Sequence, residues 1–174
     1  CSALLALLNS RLSWFYLSQV CTALRGGEWR LLLQSIYMET LPIPFTNESQ
    51  KAELGKLTEA AQTATKERHR LQQGITRRIP DLSADPANAK LTGKLKEWWA
   101  LPDFAAFQKE VEKALKAKIP LQERNDWENW ITTSRAEIHS LTAEITRLET
   151  EINAKVYALF DLTPDEIALL EASV

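Results

Sequence analysis

Two histidines, His69 and His139, are the only imidazoles in this 174-residue chain, and neither has a second ligand at the spacing that an HExxH or a paired CxxC supplies. Both read as solvated helix residues. Aspartates and glutamates are plentiful, but they fall at outward positions among lysines and arginines. Such a pattern makes a solvated face with i to i+4 pairs. A general acid and base pair needs an apolar pocket to separate its two pKa values, and the sequence offers none. Phosphate-binding loop, Gly-x-Ser-x-Gly elbow and Rossmann fingerprint are all missing. No catalytic, metal-ligating or cofactor-binding residue is therefore assigned.

Cations remain. Arg25, Gly26 and Gly27 with Arg30 set two guanidiniums around a turn whose glycines admit a phosphate backbone, the alternative being a plain helix-to-strand turn. Lys66, Arg68, His69, Arg70, Arg77 and Arg78 form a denser group near the end of an expected helix, where cations also complement the helix dipole. The chain as a whole carries 21 Lys plus Arg against 23 Asp plus Glu, a net charge of -2. A polyanion must therefore be met by a local patch. The six tryptophans fall mostly at core or seam positions and do not read as base-stacking platforms.

What must position these groups is mainly helix. An apolar content of 45% builds a core, and only five Gly and seven Pro interrupt the chain, which excludes an all-β sandwich or a Gly-rich nucleotide fold. Residues 3–20 put Leu5, Leu8, Leu12 and Phe15 at helical spacing, widened by Leu4, Leu7, Trp14 and Leu17. The reading is one helix covered on several sides. Asn9, Ser10 and Arg11 exclude a membrane span, since an arginine near mid-bilayer costs on the order of 3 kcal/mol, and no basic segment precedes it as a signal peptide requires. Cys1 and Cys21 sit at the two ends of that helix, roughly 30 Å apart, and cannot pair along it. A reducing cytoplasm is the setting this suggests. The opening at Cys1, inside an apolar helix and without methionine, suggests a start within a domain.

Trp29, Leu31 and Leu33 alternate with Arg30 and Leu32 like a short strand. Leu41-Pro42-Ile43-Pro44-Phe45 is extended, an edge strand or a rigid crossing. Asn47 or Ser49 caps a second long helix with Leu54, Leu57, Ala61, Ala64 and Leu71 on one seam and Arg68 completing a step. It ends between Gly74 and Pro80. Residues 81–89 read as a loop. Leu91, Leu95, Trp98 and Trp99 mark a short helix stopped by Pro102, and Asp103 caps another carrying Phe104, Phe107, Val111 and Leu115 up to Ile119-Pro120. The clearest pattern comes last. Trp127, Ile131, Ile138, Leu141, Ile145, Leu148, Ile152 and Val156 hold a heptad seam with only Ser134 polar, over about 30 residues. So long a helix needs a partner, and the 54–71 helix is the natural antiparallel one. Thr163, Pro164 and Glu166 then open a terminal helix with a capping box. The fold expected is mainly α: a long antiparallel, coiled-coil-like helical hairpin over 47–174, behind a small α+β unit over 1–46.

The segments Leu4-Leu5-Ala6-Leu7-Leu8-Asn9-Ser10-Arg11-Leu12, Leu24-Arg25-Gly26-Gly27-Glu28-Trp29-Arg30 and Leu41-Pro42-Ile43-Pro44 resemble the end of the TaqI-like C-terminal specificity domain. That domain is the target-recognition part of adenine-specific DNA methyltransferases and fused restriction–modification enzymes. The stretch from Trp98 to Phe107, Trp127-Glu128 and above all Val156-Tyr157-Ala158-Leu159-Phe160-Asp161-Leu162-Thr163-Pro164-Asp165-Glu166-Ile167 are similar to the helical tail of the same enzymes. There the closing motif reads Val-Tyr-x-Leu-Tyr-Gly-Leu-Thr-x-x-Glu-Ile, so Phe160 and Asp161 stand where Tyr and Gly are usual.

The resemblance implies that residues 1–46 are the remnant of a DNA target-recognition domain. It implies double-stranded DNA as partner, and upstream of Cys1 a methyltransferase domain of the same polypeptide with its S-adenosylmethionine site and Asn-Pro-Pro-Tyr-type motif. Endonuclease activity of the parent stays open. The alternative from the residues alone is an oligomerisation or docking module, a homodimer through its helices, that never touches DNA.

Overall fold

Ser10 splits in two the apolar N-terminal stretch that periodicity reads as a single helix. Its backbone is extended at φ -70°, ψ 154°, and its Oγ accepts from the backbone N–H of Ser13. The same hydroxyl donates to the Leu7 carbonyl at 2.7 Å, and Ser13 Oγ donates to that carbonyl at 2.6 Å. A carbonyl orphaned at one helix end and an amide orphaned at the next helix start are thus both satisfied by buried serines. With the helix divided, the Cys1 to Cys21 separation loses the single axis along which it was reckoned. Cys21 is a buried free thiol.

The computed structural model describes residues 2–23, 31–32, 34–44 and 47–173. In chain order they form α1 (Ser2–Leu8), α2 (Arg11–Val20), β1 (Thr22–Ala23), β2 (Leu31–Leu32), α3 (Ser35–Glu39), α4 (Glu48–Thr76), α5 (Gly93–Lys96), α6 (Phe104–Leu115), α7 (Arg124–Leu159) and α8 (Pro164–Ser173), with short 3-10 turns at Ile79–Leu82, Pro86–Asn88 and Trp98–Ala100. The chain is mainly helical. Among the described residues the one ladder is a two-residue antiparallel pairing, Thr22 with Leu32 and Ala23 with Leu31. Cys1, Arg25, Gly26, Gly27, Trp29, Arg30, Leu33 and Phe45, all invoked from sequence, lie outside the described residues. Residues 42–44 form neither helix nor strand, so the edge-strand alternative for the proline segment falls over those residues. Among the described residues no helix is long and apolar enough to cross a membrane.

Two compact units result, residues 1–62 with 146–174, and residues 63–145. In the first, Ala3, Ala6, Leu7, Leu54, Ile152 and Val156 form a core edged by Leu12, Leu57, Ala61 and Leu159. Lys155 Nζ on α7 donates to Glu53 Oε1 on α4 at 2.6 Å. The turn into α8 passes through Asp161 in the left-handed region, φ 51°. The predicted capping box is present: Glu166 N–H donates to Thr163 Oγ1 at 3.4 Å, and Glu166 Oε2 accepts from the Thr163 N–H at 2.8 Å.

In the second unit Ile75, Ile79, Leu95, Trp98, Phe107, Val111, Ile131 and Ile138 are buried together. Trp98 and Phe107 are fully buried, each worth about 2–3 kcal/mol in transferred apolar surface. The Trp98 indole N–H is satisfied by the Gln72 carbonyl at 3.2 Å. Asp103 caps α6 as expected, its Oδ1 accepting from Ala106 N–H at 2.7 Å. Lys116 in the left-handed region, φ 55°, closes it. The helix α4 ends at Thr76, between Gly74 and Pro80 as expected. Two expectations shift. The 81–89 stretch carries parts of two 3-10 turns, and α7 runs 36 residues.

Candidate functional site

At 100° per residue, Lys66 and Arg70 on α4 fall about 40° apart, facing away from Ala64, Leu71 and Ile75. Arg77, one residue past the end of α4, donates its backbone N–H to the Gln73 carbonyl at 3.2 Å and so continues the turn on the same side. Burial follows the same division: Lys66, His69, Arg70 and Arg77 are exposed, whereas Ala64 and Ile75 are buried. Arg70 binds Glu67 with two donors, Nε at 2.8 Å and Nη2 at 2.5 Å. The bond from Arg70 holds the Glu67 carboxyl below the usual carboxylate range, and the same bond raises Arg70. Lys66 and Arg77 enter no ion pair among the described residues.

Two other cations of the predicted group turn elsewhere. Arg68 is half-buried, and its Nη1 donates to Thr142 Oγ1 on α7 at 3.5 Å. Arg78, past the end of α4, lays its guanidinium over the Trp130 ring at 5.6 Å from the centroid. Of the predicted contacts, then, Lys66, Arg70 and Arg77 come together in one row. Arg25, Gly26, Gly27 and Arg30 lie outside the described residues. His69 and His139 are both exposed, as read from sequence, and among the described residues no group of His, Cys, Asp and Glu can hold a metal ion.

The Arg78 contact belongs to a cleft of about 490 Å³ that sequence reasoning missed, lined by Arg78, Asp81, Leu82, Glu123, Asp126, Trp127 and Trp130. The two indoles stand 5.5 Å apart at 47°, and Phe107 stacks behind Trp127 at 6.1 Å. The seam assignment of Trp127 hid this, because an indole packed against the core can also line a cleft. The available signal was Trp127-x-x-Trp130 next to Asp126 and Glu123.

A second cleft, about 510 Å³, lies in the other unit between Arg11, Asn153, Tyr157 and Glu171. Arg11 pairs with Glu171, and its backbone N–H donates to Asn153 Oδ1 at 3.0 Å. Tyr157 donates its hydroxyl to Glu171 Oε1 at 2.6 Å. Burial pushes the Tyr157 phenol up, and Arg11 pulls it the other way. These groups satisfy one another, which makes the network a clamp for α2, α7 and α8 rather than a nucleophile with its base.

A family model described as a domain of unknown function, DUF8810, matches residues 47–156. No curated protein and no solved structure matches the chain.

Proposed function

The chain belongs to that family of unknown function, and we propose that it is the DNA-positioning and scaffold part of a site-specific adenine-N6 DNA methyltransferase or fused restriction–modification enzyme. The observation that carries the DNA reading is the row of Lys66 and Arg70, exposed on one face of α4 whose other face is buried, with the exposed Arg77 in the turn that follows it. Cations at this spacing meet successive phosphates and fix a duplex without reading its sequence. Arg25 and Arg30 are assigned the same duty by the sequence, while base reading and methyl transfer belong to the parent protein's other parts. S-adenosylmethionine is the parent's cofactor in this reading, and the cytoplasm its setting.

In this reading α4 and α7 frame that surface as an antiparallel hairpin, supported by the Arg68 to Thr142 contact within the 63–145 unit and by the Glu53 to Lys155 contact within the other. The link to target-recognition enzymes draws support from Asp161, whose φ of 51° stands where the resembled motif has glycine, the residue that takes this conformation freely. The competing reading, a helical docking module without DNA contact, loses its simplest surface. Ile131, Ile138, Ile145, Leu148, Ile152 and Val156 are all buried by the chain itself.

Fluorescence anisotropy with a labelled 30-base-pair duplex of arbitrary sequence tests the proposal. Changing Lys66, Arg70 and Arg77 together to alanine is expected to weaken binding of the chain about tenfold or more at low salt. Equal binding by the variant and the unaltered chain would remove the row from the DNA-binding surface.

A further inference from the structure

The row on α4 leaves unexplained the cleft on the 63–145 unit, where two indoles and three carboxylates surround a single arginine. We propose that this cleft docks a basic side chain, arginine or lysine, from an extended segment of a partner protein. The inference does not depend on the DNA reading and stands on chemistry of opposite sign.

Three observations on the cleft point the same way. The Trp130 face already holds a guanidinium, that of Arg78, at 5.6 Å from its centroid, a distance at which an aromatic ring attracts a cation. Asp81, Glu123 and Asp126 line the same cleft, are exposed, and enter no ion pair among the described residues, Arg78 included. Three carboxylates against one guanidinium leave the cleft net negative, which repels phosphate and favours a cation. Glu123 and Asp126 also lie at the start of α7 and complement its positive end, but that role accounts neither for Asp81 on a separate turn nor for the indoles. Phe107 stacked behind Trp127 at 6.1 Å fixes one wall, so the cleft is preformed. Arg78 then acts as an internal stand-in for the incoming side chain.

The probe is the capped peptide acetyl-Gly-Arg-Gly-Arg-Gly-amide, added to the full chain while the indole N–H signals of Trp127 and Trp130 are followed by NMR. The peptide is expected to shift both signals saturably, and the same peptide with citrulline in place of arginine to leave them still. The variant Asp81→Asn with Glu123→Gln and Asp126→Asn is expected to bind at least tenfold more weakly. Arg78→Ala, which removes the competing cation, is expected to bind severalfold more tightly. Circular dichroism matching that of the unaltered chain certifies the fold of each variant, all four changes lying at exposed positions. Absence of saturable shifts, equal response to the citrulline peptide, undiminished binding by the triple variant or weaker binding by Arg78→Ala would each overturn the proposal. So would a short DNA duplex that moves the same two signals while the arginine peptide does not.

Discussion

Asp161 holds a left-handed backbone, φ 51°, at the turn from α7 into α8, a conformation that strains any residue with a Cβ. Asp161→Gly is expected to stabilise the chain by roughly 0.5–1 kcal/mol, less whatever the freer unfolded chain takes back. Thermal unfolding of the two proteins side by side measures it, and a lower midpoint for the glycine variant would contradict it. A second residue-scale effect is electrostatic. Two bonds from Thr163, the backbone amide first, hold the Glu166 carboxyl below the usual range. A carboxyl lowered in the folded state contributes stability above its unfolded pKa, and that contribution fades as pH falls through the ordinary carboxylate range and below it. Amide protection at the first turn of α8, the exchange rate taken relative to that of an unfolded peptide at the same pH, is therefore expected to fall with acid, and Glu166→Gln to remove that pH dependence. The cap itself was legible in sequence, since Thr, Pro and Glu at these positions name both partners of the bonds. The Ser10 break was not, because apolar spacing alone continues across it and only the serine's competition for nearby backbone groups divides the helix.

At the scale of elements, the α7 seam was legible for the reason that a heptad of isoleucines and leucines has one way to be buried. Ile131, Ile138, Ile145, Leu148, Ile152 and Val156 are all inside. The seam of α4 was read only in part. Leu54 and Ala64 are buried, but so is Thr58, whose hydroxyl bonds back to the Leu54 carbonyl at 2.8 Å and so needs no water. Phe107 ties α6 to α7 and is fully buried. Phe107→Ala is expected to cost about 3–5 kcal/mol in denaturant unfolding, whereas a cost below about 1 kcal/mol would show a core less tightly filled. Ile145→Asp discriminates seam burial within the chain from burial between two copies. With Ile145 only 4% exposed in the single chain, an unpaired carboxylate there is expected to remove roughly 4 kcal/mol or more. Loss of a dimer with an intact fold by sedimentation would instead restore the oligomerisation reading.

For the whole molecule, a net charge of -2 hides a separation of charge that only the fold exposes. One face of α4 and the turn after it gather Lys66, Arg70 and Arg77, while Asp81, Glu123 and Asp126 gather at a cleft with the Arg78 guanidinium laid on Trp130. Sequence reasoning grouped Arg68 and Arg78 with the first set because it counted neighbours along the chain. Which side of the helix each faces, and which indole it meets, depends on packing that residue order does not state. That the α4 row meets DNA phosphates is the central claim, and a plot of log affinity for a nonspecific duplex against log salt tests it most directly. Lys66→Ala, Arg70→Ala and Arg77→Ala together are expected to reduce the slope by about 2 to 3, at close to 0.9 for each phosphate left without its cation. Parallel lines for the altered and unaltered chains would contradict it.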